Sequence, residues 1–165
     1  MNNLKLSVII PSYFDPSLNK TVGDILRNSE LGDKLEIIVV CDGYYWQTPV
    51  DDPRVKILHL GAKRGMRGAI NAGVSIARGK YLMRTDSHCS FAKGFDKAII
   101  DNMEDNWIVT PRRYFLDPVR WQRMNKPPVD FAKLVIQMEG DKEKKWTAAP
   151  WKERDEELKD VMIAE

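Results

Sequence analysis

Leu35-Glu36-Ile37-Ile38-Val39-Val40-Cys41, halted at Asp42-Gly43, is the stretch on which the fold turns. It is β-branched and nearly continuous, as a strand buried on both faces must be. The Asp-Gly pair that stops it is turn chemistry. The same alternation extends outward in both directions. Upstream, Leu6 to Ile10 reads as a buried strand ended by Pro11, and Leu18, Val22, Ile25 and Leu26 then recur at helical spacing up to about Ser29. Downstream, Val55 to Leu60 forms a shorter strand behind the Asp51-Asp52-Pro53 turn, and Tyr81 to Thr85 forms another. Strands that alternate with helical patterns predict an α/β fold, a mostly parallel sheet flanked by helices.

Between the last two strands, Met66, Ala69, Ile70, Gly73, Val74 and Ala77 fall on one helical face, with Arg64, Arg67, Asn71, Ser75 and Arg78 on another. A further helix is expected from about Gly94 to Asn102 and a strand from Trp107 to Thr110. Arg112 to Pro128, rich in arginine and proline without periodicity, reads as a long loop. From Glu139 to Glu165 fifteen of twenty-seven residues are charged, and Lys152 to Ala164 has the spacing of a surface helix. The division that follows is residues 1–115 as an α/β domain and residues 116–165 as a loop and charged tail.

Composition limits the function classes. The chain has 165 residues, 43% of them apolar and 30% charged, which suits one globular domain and excludes a disordered or disulfide-stapled chain. Twenty-six basic against twenty-four acidic residues leave a net charge of +2, too small for a nucleic-acid coat protein. Cys41 and Cys89 lack metal-type spacing and fit a reducing, cytoplasmic setting. No run reaches eighteen apolar residues, so no transmembrane segment is expected, with peripheral contact to a membrane left open.

Three strand ends carry polar residues where an open parallel sheet holds its ligands: Pro11-Ser12-Tyr13, Asp42-Gly43 and Asp86-Ser87-His88. Asp86 and His88 pair a carboxylate oxygen with an imidazole nitrogen, a donor set for a borderline divalent ion such as Mn2+, with Mg2+ as the alternative. Two protein donors leave the remaining positions to water or phosphate oxygens. From Gly61 to Thr85 there are six basic residues, Lys63, Arg64, Arg67, Arg78, Lys80 and Arg84, and no acidic one. Lys63, Arg64 and Arg67 gather where a glycine-punctuated loop enters a helix, a natural place for an anion. The glycine spacing is not G-x-G-x-x-G, and no P-loop or serine triad is present. His59 lies within the third strand and reads as structural.

In this order the segments resemble the GT-A-fold glycosyltransferases, chiefly family 2, over Leu4 to Arg113. Ser7-Val8-Ile9-Ile10-Pro11-Ser12-Tyr13 is similar to the opening strand and nucleotide loop. Glu36 to Gly43 is similar to the segment that ends in two aspartates and glycine, with Cys41 in place of the first aspartate and Asp42 as the second. Arg64 to Gly73 is similar to the helix before the metal motif. Asp86-Ser87-His88-Cys89 departs from the commoner D-x-D and resembles the D-x-H-C of polypeptide N-acetylgalactosaminyltransferases. Those enzymes place a later histidine on the metal, and this chain has none after His88.

The resemblance implies that residues 1–115 are the nucleotide-sugar-binding half of a GT-A, Rossmann-like domain and that residues 116–165 correspond to a truncated acceptor-binding region. The activity it implies is transfer of a sugar from a UDP-sugar to an unknown acceptor: glycan, lipid or protein. It implies that Asp42 accepts from the uracil N3–H, that Ser12 and Tyr13 line the base, and that Asp86 and His88 hold the metal on the diphosphate. It also implies that Arg64 or Arg67 adds positive charge there, with Pro11 and Lys63 among the nucleotide-binding residues. The general base is unassigned. The Glu153 to Glu157 cluster is the candidate, and a chain ending 77 residues beyond His88 raises the alternative of a non-catalytic nucleotide-sugar-binding module. A nucleotidyltransferase would carry a glycine-rich loop after the first strand, which Pro11-Ser12-Tyr13-Phe14 does not supply. No nucleic-acid partner is expected.

Overall fold

The computed structural model describes residues 3–128, 132–139 and 142–150. Its centre is a four-stranded, wholly parallel sheet of β1 (Leu6–Ser12), β2 (Leu35–Asp42), β3 (Val55–Leu60) and β4 (Tyr81–Arg84), in the order β3-β2-β1-β4. Helix α1 (Leu18–Asn28) links β1 to β2, α2 (Gly65–Ile76) links β3 to β4, and α3 (Phe95–Asp101) follows.

The unbroken apolar runs are explained by cover on both faces. Along β1 and β2, alternate residues point to opposite sides. Val8, Ile10, Ile37, Val39 and Cys41 join Leu18, Val22 and Ile25 of α1 and Phe95 of α3 in one core. Ile9, Ile38 and Val40 join Leu60 and Ala69 of α2 in the other. Every residue of β2 is buried.

Four expectations are corrected. Strand β1 runs through Pro11 to Ser12; its pairing with β4 ends at Ile9↔Arg84, so the missing proline N–H breaks no bond on that side. No strand forms at 107–110, where Trp107 and Ile108 are exposed, because an apolar run needs a sheet edge to satisfy its backbone. The loop expected from Arg112 to Pro128 contains a short hairpin, β5 (Leu116–Asp117) with β6 (Gln122–Arg123). The inner face of α2 is also narrower than its periodicity implies: Ala69 and Gly73 are buried, while Met66 and Val74 face outward. A second antiparallel pair, β7 (Ala132–Glu139) and β8 (Lys142–Pro150), carries a bulge at Gln137/Met138. The helix expected at Lys152 to Ala164 lies outside the described residues.

The entry to β4 shows how tightly the layers fit. A Cβ on Gly79 would stand 2.5 Å from the Ser7 nitrogen and 2.7 Å from the Leu6 carbonyl carbon, both backbone atoms. Gly79 N–H also donates to Ser7 Oγ at 2.8 Å. Gly79→Ala is therefore expected to cost about 1–3 kcal/mol through displacement of β1, as overpacking does elsewhere. Urea denaturation is the check; unchanged stability would mean that the approach is looser than these distances say.

Candidate functional site

Because all four strands run parallel, their carboxyl ends open on one rim, and β1 and β4 meet where the connections pass to opposite faces. Three of the four ends carry chemistry. β1 delivers Ser12, Tyr13, Phe14 and Asp15. β2 delivers Asp42. β4 delivers Arg84, then Thr85-Asp86-Ser87-His88.

Asp42 is 4% exposed, and its carboxylate bridges the start of α2: Arg64 N–H donates to Oδ1 at 2.6 Å and Gly65 N–H to Oδ2 at 2.9 Å. Two of the unpaired amides at that helix terminus are thus met by an internal anion. Gly43 makes this possible, with φ at +77° and no room for a Cβ, which would lie 2.8 Å from the Lys63 nitrogen. The helix N-terminus read from sequence as an anion site is therefore partly satisfied by Asp42 itself. The side chains of Lys63, Arg64 and Arg67 stand in solvent around it, with the Lys63 ammonium 3.8 Å from the centre of the Tyr13 ring.

Beside Asp42 lies an aromatic group. Tyr13 and Phe14 meet edge to face at 5.1 Å, and Phe14 and Tyr44 lie 4.6 Å apart. Tyr13 and Phe14 are exposed, whereas Ser12 is buried and its hydroxyl is hydrogen-bonded to the Tyr44 phenol at 2.6 Å. Burial pushes that phenol up to about 12, so it remains protonated. Burial also raises the Cys41 thiol, which rules out a ready nucleophile there.

At β4, Asp86 Oδ1 accepts from Arg84 Nη2 at 2.5 Å. The segment that follows is clamped to α1 along one helical face. Thr21 Oγ1 donates to the Ser87 carbonyl at 2.9 Å and accepts from Cys89 N–H at 3.0 Å. Asp24 Oδ2 accepts from Ser90 Oγ and Phe91 N–H, and Asn28 Nδ2 donates to the Phe91 carbonyl. Sequence reading missed these three residues. Their signal was present: Thr21 and Asp24 are polar positions inside the apolar face of α1.

Asp15 was missed as well. Its Oδ2 accepts from Ser87 Oγ at 2.8 Å and lies 2.8 Å from His88 Nδ1, and its Oδ1 accepts from Ser17 N–H at 2.8 Å. Burial raises the Asp15 carboxyl, but these bonds outweigh it and hold the group below its ordinary range. The neighbouring Phe14 adopts φ of +52°, a costly conformation for a side chain of that size.

By chemistry alone, the donor types after β4 are those of an open metal site. Asp86 offers carboxylate oxygen, and with Nδ1 engaged by Asp15, His88 retains Nε2. Among the described residues no group of three or more His, Cys, Asp or Glu is assembled that would close a site. His59 sits in β3 with Nδ1 3.3 Å from the Tyr44 carbonyl, a structural placement. Both cysteines are free. Glu153, Asp155, Glu156 and Glu157, the candidate bases, lie outside the described residues. No described helix is long and apolar enough to cross a membrane.

A family model described as Glycosyl transferase family 2 matches residues 7–158. The succinoglycan biosynthesis protein ExoO of Rhizobium meliloti (strain 1021) is 39% identical over 61 residues, which cover 34% of this chain and 18% of that protein. Among solved structures, the mannosyltransferase PcManGT from Pyrobaculum calidifontis, in complex with GDP-Man and Mn2+, is similar in fold. It superposes at a TM-score of 0.56 with 20% identity, over 71% of this chain and 37% of that one. The chain thus spans well under half the length of either protein.

Proposed function

The chain belongs to glycosyl transferase family 2, and on that premise we propose that it transfers a sugar from a UDP-sugar to an acceptor hydroxyl with a divalent metal ion at Asp86 and His88. The observation that supports this reading is the single rim of the parallel sheet: the carboxyl ends of β1, β2 and β4 bear, in turn, an aromatic group, a fixed carboxylate and the Asp86/His88 pair.

Asp42 would read the base. Its two backbone bonds fix the carboxylate and use only part of its acceptor capacity, about four lone-pair sites. Tyr13 and Phe14 offer exposed ring faces and edges at the same end of the sheet. Arg64, Arg67 and Lys63 place positive charge beside the path of a diphosphate. The ion, when bound, offsets the charge that develops on the departing diphosphate. In the transfer itself the acceptor oxygen bonds to the anomeric carbon, the bond from that carbon to the diphosphate breaks, and the acceptor hydroxyl loses its proton.

Base choice tests the reading. Uracil presents N3–H to a carboxylate, a charge-assisted bond worth roughly 1.5–3 kcal/mol, whereas cytosine presents a bare N3 acceptor that repels it. UDP is therefore expected to bind at least about tenfold tighter than CDP. Asp42→Asn, which offers a donor and an acceptor alike, should remove the difference. Calorimetric titration with UDP, CDP and GDP is the measurement. Equal affinity of the unaltered chain for UDP and CDP would exclude Asp42 as the reader of the base.

A further inference from the structure

We infer that Asp15 is a positioning residue for His88: its carboxylate holds the imidazole in the tautomer with hydrogen on Nδ1 and so keeps the Nε2 electron pair available at the rim. The inference deepens the metal reading of Asp86 and His88 and rests on it for the use to which Nε2 is put.

The bond between His88 Nδ1 and Asp15 Oδ2 is 2.8 Å long. An ionised carboxylate can only accept, so the hydrogen belongs to Nδ1. Which ring nitrogen is left to ligate is set by the bond the other one makes. A histidine free in water favours hydrogen on Nε2, the form that cannot ligate through that atom. His88 is 62% exposed, and among the described residues the hydrogen bond of its ring is the one to Asp15.

Asp15 is itself well held. Its side chain is 16% exposed, Ser17 N–H fixes Oδ1, and Ser87 Oγ shares Oδ2 with the imidazole. Ser87 is in turn fixed to α1 through its carbonyl and Thr21. The left-handed turn at Phe14 lies immediately before Asp15, past the carboxyl end of β1, which is paired with β4. A helix-initiating role alone would need only Oδ1 on Ser17; it leaves both bonds to Oδ2 unexplained.

Asp15→Asn separates the two roles. The amide oxygen can keep the Ser17 bond, while the amide NH2 faces Nδ1 as a donor and forces the hydrogen onto Nε2. The chain has two histidines, so long-range 1H–15N spectra of 15N-histidine-labelled protein at pH 8 resolve both tautomers, with His88→Ala assigning the signals. Unaltered protein is expected to show His88 with hydrogen on Nδ1, and Asp15→Asn to show it on Nε2 with the His59 signal unmoved. In the presence of UDP, Asp15→Asn should weaken Mn2+ binding about 10–100-fold, and adding it to His88→Ala should cost nothing further. Hydrogen on Nε2 in the unaltered protein, or a tautomer that ignores Asp15→Asn, overturns the proposal. Mn2+ affinity unchanged in His88→Ala overturns the metal reading, and the spectra decide the tautomer independently of it.

Discussion

On the proposed function, Asp86→Ala is expected to abolish a gain in UDP affinity from Mn2+ of about 10³-fold, while leaving the affinity measured in a chelator undiminished. Two unit charges about 4 Å apart attract by about 4 kcal/mol at an effective dielectric of about 20, and at about 1.4 kcal/mol per tenfold in affinity that gives this factor. The second half of the expectation comes from Arg84. Its guanidinium lies 2.5 Å from Asp86 Oδ1, so without an ion the carboxylate both repels a diphosphate and neutralises the cation beside it. Removing Asp86 lifts the repulsion and releases Arg84. The variant should then bind UDP in a chelator as well as the unaltered chain, or better. Titration of UDP with Mn2+ and with EDTA decides the matter. A loss of equal size under both conditions would show that Asp86 supports the loop rather than an ion.

Glu36→Ala is expected to destabilise the fold by about 3–5 kcal/mol, the usual cost of removing one partner from a buried ion pair. Glu36 is 2% exposed near the amino end of β2. It accepts from Ser7 Oγ and from Arg78 N–H, both at 2.6 Å, and from the Lys56 ammonium at 2.5 Å. One carboxylate therefore ties β1, β3 and Arg78, two residues past α2, to the central strand, and its loss removes the acceptor that Ser7, Lys56 and the Arg78 N–H share. Lys56 is one-third exposed and can turn to water, which places the cost toward the lower end. Against a total stability of about 5–15 kcal/mol this is a large fraction.

The pH dependence has a definite sign. Burial raises the Glu36 carboxyl, but the bonds from Lys56, Ser7 and Arg78 hold it below its ordinary value of 4.5. A folded value below the unfolded one stabilises above pH 4.5 and is lost as pH falls through the lower folded value. Urea melts at pH 7 and at progressively lower pH should show the gap between Glu36→Ala and the unaltered chain closing in acid. A gap that does not narrow would assign the cost to packing rather than to charge.

The sequence was a good guide to elements and a poor one to their side-chain partners. Glu36 read as one more position in an apolar strand, although a carboxylate in a run otherwise buried on both faces marks a buried ion pair. Trp107 to Thr110 has the composition of a strand but meets no sheet edge. Leu116–Asp117 and Gln122–Arg123 have too few residues for any period to show, and their pairing comes from the turn between them. On α1, Thr21, Asp24 and Asn28 were passed over because their partners, Ser87 to Phe91, lie more than sixty residues away.

By itself the sequence determined the parallel α/β layering, because β-branched runs and 3.6-residue periodicity are local properties that hydrophobic burial turns directly into strands and helices. It also determined which strand ends carry polar chemistry, because the side chains at a chain reversal are set by position alone. Only the tertiary structure decided what those side chains touch. Asp42 was legible as a carboxylate at a strand end, but that it holds the start of α2 follows from the β3-β2-β1-β4 order, which brings the 61–65 loop over Gly43. Asp15 and His88 stand 73 residues apart, and they meet because β1 and β4 are neighbours in the sheet. Hydrogen bonds act over about 3 Å and carry no trace along the chain, so such a pair exists only once the strands have been placed side by side.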